Sequence, residues 1–117
     1  MPVGELDHLY YWTRDMDAAV RFYRDTVGLT LRRRDGDAWA QFEAGPVRFA
    51  LHATDVADPI ISGTAVFRVE DLEAARWTLQ QRGVAFEEPT GEVEGFARFA
   101  TFRDPDGNPL QIIEYLT

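Results

Sequence analysis

The sequence predicts an α+β chain built of two tandem βαβββ modules, and three observations lead there. Asp15-Met16-Asp17-Ala18-Ala19 matches Asp71-Leu72-Glu73-Ala74-Ala75 as acid, apolar, acid, Ala, Ala at an offset of 56 residues, the mark of a duplicated supersecondary unit. A run rich in β-branched and aromatic residues precedes each match, His8 to Thr13 and Thr64 to Val69, and each leads to an aspartate suited to cap a helix. A helix-ending glycine then follows in each half, Gly28-Leu29 and Gly83-Val84, one residue out of register.

The elements follow in order. After the first strand, Met16, Ala19, Val20, Tyr23 and Val27 recur at helical spacing and form a face that packs on a sheet. Three strands are then expected: Thr30 to Arg34, Asp37 to Ala44 and Val47 to Ala53, with Asp35-Gly36 as a two-residue hairpin turn and Gly45-Pro46 as the next break. Leu72, Ala75 and Leu79 give the second helix its apolar face. Ala85 to Glu88, Phe96 to Arg103 and Leu110 to Tyr115 complete the second set of strands, the last hairpin turning on Asp104-Pro105-Asp106-Gly107-Asn108. The 117 residues suffice for one domain: module one at about 6–54, a linker at about 55–61 containing Pro59, and module two at about 62–117.

Composition removes whole classes of chemistry. The chain has no cysteine, which excludes disulfides, thiolate metal sites and cysteine nucleophiles. All twelve basic residues are arginine, so Schiff-base chemistry and the phosphate-binding P-loop lysine are absent as well. Ser62 is the only serine and lies in no Gly-x-Ser-x-Gly turn, and only His8 and His52 supply imidazole. A net charge of −8 repels phosphate backbones and anionic lipids, so neither nucleic acid nor membrane is expected as a partner. Arg32-Arg33-Arg34 reads as a solvated strand edge that discourages aggregation. Without a signal peptide or a long apolar run the chain reads as cytoplasmic.

The two βαβββ units, with Phe22-Tyr23 before Gly28-Leu29, Val69-Glu70-Asp71-Leu72 and Phe102-Arg103-Asp104-Pro105-Asp106-Gly107-Asn108, resemble the vicinal-oxygen-chelate superfamily. That group includes glyoxalase I, extradiol dioxygenases, fosfomycin-resistance enzymes and bleomycin-resistance proteins. The resemblance spans Leu6 to Tyr115 and implies curved sheets facing across a shared cavity, completed in a homodimer. It does not choose among the superfamily's functions, because one scaffold carries isomerases, lyases, oxygenases, transferases and binders.

In the metal-dependent members, one ligand comes from the first and one from the last strand of each module. The resemblance puts His8 at the first of these positions and Thr64 at its repeat-mate, where the family often has histidine. The last-strand glutamate falls on Gln111, with Glu114 nearby but on the opposite face of an unbroken strand. The fourth position falls on Ala50, with His52 two residues further along the same face. A metal site would therefore draw on His8, His52 and either Gln111 or Glu114, a set suited to iron, manganese or zinc.

Strand alternation places Tyr10 and Trp12 on the same face as His8, and Val66 and Arg68 on the face of Thr64. Trp39 and Phe96 are further aromatic candidates, and Arg68 is a candidate partner for a ligand anion. The ligand-binding set is thus Tyr10, Trp12, Trp39, His52, Thr64, Arg68, Phe96 and Gln111. Three function classes follow. The first is a small-molecule-binding protein of the bleomycin-resistance type, capturing an organic, aromatic ligand with no cofactor required. The second is a metal-dependent lyase, isomerase or dioxygenase, in which a divalent ion polarises vicinal oxygens. The third is an enzyme using His8 or His52 as a base without metal. Incomplete ligands favour the first.

Overall fold

The structure is a computed structural model and describes residues 7–57 and 63–116. The N-terminal stretch before Asp7 and most of the expected linker, including Pro59, lie outside the described residues. The chain divides into two compact units between Ile61 and Ser62.

In the first unit β1 (His8–Thr13) leads into α1 (Met16–Arg21), followed by β2 (Thr30–Asp35), β3 (Trp39–Ala44) and β4 (Val47–Ala53). The strands form one sheet in the order β1-β4-β3-β2, with β1 parallel to β4 and the other pairs antiparallel. Asp15 caps α1 by accepting a hydrogen bond from the Ala18 N–H at 3.1 Å, which satisfies one of the orphan donors of the first turn. From Phe22 to Val27 the helix widens into π-helical turns. It ends where Gly28, at φ 93°, turns the chain so that the Gly28 and Leu29 N–H groups both reach the Tyr23 carbonyl, at 3.1 and 2.9 Å. A left-handed residue is needed there, which is why glycine marks the end.

Alternation along each strand sends Tyr11, Thr13, Ala40, Phe42, Phe49 and Leu51 under the helix, where they meet Met16, Ala19, Val20 and Tyr23; all are buried. The Tyr23 ring packs against Phe49 at 4.8 Å and Phe42 at 6.0 Å between centroids. Removing each such side chain from water is worth about 1.5–3 kcal/mol, an upper estimate. A bulge between Leu31 and Arg33 interrupts the β2–β3 ladder. The arginine run on this edge strand is held by acids of its own unit: Arg32 by Glu43 at 2.8 Å, Arg33 by Asp35 at 3.2 Å, and Arg34 by Asp17 and Asp37 at 2.6 and 3.0 Å.

The second unit repeats the plan with β5 (Ala65–Arg68), α2 (Leu72–Gln81), β6 (Gly91–Val93), β7 (Ala97–Arg103) and β8 (Pro109–Tyr115), ordered β5-β8-β7-β6. Asp71 caps α2 through the Ala74 N–H at 3.1 Å, as Asp15 does for α1. The hairpin between β7 and β8 is organised by the buried Asp104 carboxylate, which accepts from the Asp106 and Asn108 backbone N–H groups and from the Asn108 side chain at 2.8–2.9 Å.

One strand stands elsewhere than the sequence predicts. Residues 85–88 form no strand, and the third pairing of this sheet comes from Gly91–Val93. Pro89 has no N–H for a ladder; this segment keeps a single backbone bond to β7, from the Glu87 N–H to the Thr101 carbonyl at 2.8 Å, while Arg76 on α2 donates to Glu88 at 3.1 Å and to the Thr90 hydroxyl at 2.6 Å. Pairing resumes at Gly91, where the Phe99 ring occupies the space that a β-carbon would take. Glu92 thus lies on the edge strand of this sheet.

Both folds therefore have the same form: a sheet with one helix on one face. The two helix-averted faces are the candidate surfaces for function. No described helix is long and apolar enough to cross a membrane.

Candidate functional site

Strand register determines which side chains share the helix-averted face of the first sheet. β1 contributes His8, Tyr10 and Trp12, paired with Arg48, Ala50 and His52 of β4. β3 runs antiparallel and sets Trp39 opposite His52 and Gln41 opposite Ala50. Five of the residues expected from sequence, His8, Tyr10, Trp12, Trp39 and His52, consequently meet as one cluster of rings.

His52 is at its centre, with ring centroids 4.7 Å from Trp12, 5.5 Å from Tyr10 and 5.7 Å from Trp39. Trp39 also meets His8 edge-on at 5.4 Å, and Tyr10 meets Trp12 edge-on at 5.3 Å. Edge-to-face contacts of this kind match the positive rim of one ring to the negative face of another, at about 0.5–1.5 kcal/mol each. Ala50, in register between Tyr10 and Gln41, is fully buried. Tyr10 remains 44% exposed although it contacts four rings, so the cluster still presents aromatic surface to a ligand.

Both imidazoles are oriented through Nδ1. His52 Nδ1 lies 2.9 Å from the Ala53 carbonyl oxygen. A carbonyl only accepts, so this nitrogen carries the proton and Nε2 of the neutral ring keeps its lone pair. His8 Nδ1 lies 2.7 Å from Asp7 Oδ2. The hydrogen bond to His8, and then the charge of Arg48, hold the exposed Asp7 carboxyl below its ordinary range, so it too acts as an acceptor. In its neutral form each ring would therefore present Nε2 as the acceptor. Asp7 was not among the residues singled out from sequence, although it is adjacent to His8 in the chain.

On the helix-averted face of the second sheet, Val66 pairs with Gln111 and Arg68 with Ile113, while Thr101 pairs with Gln111 and Phe99 with Ile113. Gln111 donates from Nε2 to the Thr101 hydroxyl at 3.1 Å. The Arg68 guanidinium lies over the Tyr115 ring, 4.9 Å from its centroid, and Phe96 meets that ring edge-on at 5.4 Å. Tyr115 was also missed, yet it shares the parity of Gln111 and ends the same strand. Thr64 is exposed and precedes β5 rather than belonging to it.

Glu114, expected from sequence as the alternative inward carboxylate, lies on the helix side. Its Oε1 accepts the Leu72 N–H at 2.7 Å, and its Oε2 lies 3.4 Å from Arg98. The register between β7 and β8 runs unbroken, so nothing reverses the parity that separates it from Gln111. Its carboxylate braces the start of α2, where the helix dipole favours negative charge.

These placements allow a test of the metal site that the resemblance implies. Of the set expected from sequence, His8 and His52 offer imidazoles, Gln111 offers only an amide, already bonded to Thr101, and Glu114 is engaged by Leu72 and Arg98 on the helix side. Among the described residues no three His, Asp or Glu side chains group as metal ligands. Neutral oxygens are weak ligands for a transition metal, and these donors do not fit one.

Two βαβββ folds in tandem, each with a helix-averted face rich in ring and hydrogen-bonding side chains, define a protein of the vicinal-oxygen-chelate type. Residues 5–112 match the Glyoxalase/Bleomycin resistance protein/Dioxygenase superfamily, and the chain belongs to that family. It is 30% identical to the uncharacterized protein YraH of Bacillus subtilis (strain 168), across 87% of this chain and 91% of YraH. It is 31% identical to a manganese-dependent 2,3-dihydroxybiphenyl 1,2-dioxygenase of Geobacillus genomosp. 3, across 94% of this chain but only 36% of that enzyme. Among solved structures it resembles TnmS3, an antibiotic binding protein from Streptomyces sp. CB03234, with a TM-score of 0.77, 28% identity and 98% coverage of both chains.

Proposed function

We propose that this protein is a small-molecule-binding member of the family that captures an organic, aromatic ligand on the ring cluster of module one and requires no metal. The observation that carries this reading is the gathering of His8, Tyr10, Trp12, Trp39 and His52 on one sheet face with Tyr10 still 44% exposed. Aromatic side chains bind planar ligands by stacking, and cationic ones by attraction to the ring faces. The net charge of −8 supports a neutral or cationic group at this face. Likeness to an antibiotic binding protein supports the same reading.

The resemblance further supports a homodimer, and the composition supports a cytoplasmic location. Light scattering on a sizing column should then give about twice the 13.3 kDa chain mass.

The ligand reading is tested by a thermal-shift and tryptophan-fluorescence screen of aromatic and cationic metabolites and antibiotics, with and without divalent metal. Metal-independent stabilisation that is lost in Trp12→Ala is the expected result. Stabilisation by stoichiometric manganese, iron, nickel or zinc, abolished in His8→Ala, would overturn it in favour of a metal-dependent enzyme.

A further inference from the structure

We infer that Asp35-Gly36, in the turn between β2 and β3, is a site of spontaneous isomerisation to isoaspartate, whereas the chain's other Asp-Gly bond, Asp106-Gly107, is protected by the hydrogen bonds of its hairpin. The inference concerns a covalent change within module one and does not rest on the ligand reading.

The chemistry needs only the two residues and water. The Gly36 backbone nitrogen attacks the side-chain carboxyl carbon of Asp35 in its acid form. A C–N bond forms, a C–O bond breaks, and the hydroxyl leaves as water with the amide proton. Water then adds back to the cyclic imide. Opening at the side-chain carbonyl restores aspartate, whereas opening at the main-chain carbonyl breaks the original peptide C–N bond and leaves the chain running through the β-carbon. Nothing is oxidised or reduced, and the water released is returned. Glycine favours the first step because no β-carbon obstructs the approach of its nitrogen.

Both bonds share this local chemistry, and the fold separates them. At Asp106-Gly107 the nucleophile is occupied: the Gly107 N–H donates to the Asp104 carbonyl at 2.9 Å. The buried Asp104 carboxylate also accepts from the Asp106 and Asn108 backbone N–H groups at 2.9 and 2.8 Å, which fixes the turn on both sides of the reacting pair. Ring closure there must break the first bond and rotate a backbone that the others hold. At Asp35-Gly36 the peptide plane is held only through the Asp35 carbonyl, which accepts from the Ala38 N–H at 3.0 Å, and the Gly36 N–H donates to no group among the described residues. Residues 35–38 are exposed, and a β-carbon at Gly36 would meet no atom within 4 Å, so there is room for the carboxyl to swing over the turn. The Asp35 carboxylate pairs with Arg33 at 3.2 Å, but both side chains are exposed and solvent competes for each. Attack at Asp35 thus requires little more than rotation of a surface side chain toward a free nitrogen. Asp35 is the register partner of Trp39, so the added main-chain carbon falls beside a member of the ring cluster.

The test is prolonged warm incubation of the intact protein at mildly acidic pH, followed by chymotryptic peptide mapping with electron-transfer fragmentation, which distinguishes isoaspartate from aspartate. Isoaspartate at residue 35 should exceed that at residue 106 by about tenfold. The same incubation in concentrated urea should bring the two sites within about twofold of each other, because local sequence alone then governs both. Asp104→Ala, with thermal melts to check folding, should raise isoaspartate at residue 106 by about threefold or more. Equal accumulation at the two sites in the folded protein, a preference for residue 35 that persists undiminished in urea, or no rise at residue 106 in folded Asp104→Ala would each overturn the inference.

Discussion

Matched by strand register, the two modules share apolar side chains at several positions beneath their helices and diverge more widely on the other face. Ala40 and Phe42 of β3 answer to Ala100 and Phe102 of β7, Leu51 of β4 to Ile112 of β8, and Met16 and Tyr23 of the first helical segment to Leu72 and Leu79 of α2, and all are buried. On the helix-averted face Trp12 answers to Arg68, Tyr10 to Val66, Ala50 to Gln111, His52 to Ile113 and Trp39 to Phe99. The difference shows which face each physical demand governs. Packing against a helix requires apolar volume at fixed positions, whereas a face turned from the helix is free to acquire different chemistry while the sheet stays the same.

The largest test addresses the matched side. Phe42→Ala and Phe102→Ala should each cost about 3–5 kcal/mol, because both rings are almost wholly buried and their loss leaves a cavity. Urea unfolding followed by circular dichroism should show comparable losses for the two. A loss under about 1 kcal/mol for either would break the equivalence of the two packed faces.

On the divergent side the informative pair is His52 and Ile113, which occupy matching register positions. His52→Ala removes the ring that joins Tyr10, Trp12 and Trp39, so affinity for an aromatic ligand identified in the screen should fall about tenfold, ~1.4 kcal/mol. Ile113→Ala should leave that affinity within about twofold, a change under ~0.5 kcal/mol. Equal effects in a fluorescence titration would mean that the ligand does not distinguish the two faces.

A further asymmetry lies at the helix starts. Asp15 and Asp71 cap alike, but Glu114 also accepts the Leu72 N–H, and its counterpart in module one is Ala53, which offers no side-chain acceptor. Loss of an N-cap aspartate costs about 1 kcal/mol. Asp71→Ala should therefore cost less than Asp15→Ala, and Glu114→Ala should remove that difference, as measured by the same urea titrations.

The repeat, the strand-to-aspartate-to-helix order and the glycine stops were legible in the sequence because each depends on local chemistry: alternation, an oxygen for an orphan N–H, and a left-handed turn. The facing of Tyr10 and Trp12 followed from the same two-residue period. The meeting of Trp39 with His52 depends on the hairpin register, and its signal was available in Gly45-Pro46: a two-residue connection pairing Ala44 with Val47 brings Trp39 opposite His52. The expected strand at 85–88 is reduced to one backbone bond, from Glu87 to Thr101, next to Pro89, which has no N–H to extend it, and the contacts of Arg76 with Glu88 and Thr90 are ones no local pattern announces. Glu114 could be placed only by the same kind of information, since its partner Leu72 is 42 residues away in the chain.

The smallest expected difference between the modules is their response to acid. Asp7, Asp17, Asp25 and Glu43 are each held below their ordinary range chiefly by a hydrogen bond, from His8, Arg34, Arg24 and Arg32 respectively, and all four belong to module one. A carboxyl with a lowered value in the fold stabilises it fully above its unfolded value, 3.8 for aspartate and 4.5 for glutamate here. As pH falls through that value and then through the lower folded one, the unfolded chain takes up its proton first and the stabilisation is lost. Module one should therefore weaken between about pH 5 and pH 3, with a small amplitude because all four groups are exposed and screened by solvent. Native-state hydrogen exchange, corrected for intrinsic rates, should show protection falling faster in β2 and α1 than in β8 over that range. Added salt should shrink the difference, and Asp17→Asn should flatten the module-one profile. A steeper loss in module two would mean that these surface pairs do not govern acid stability.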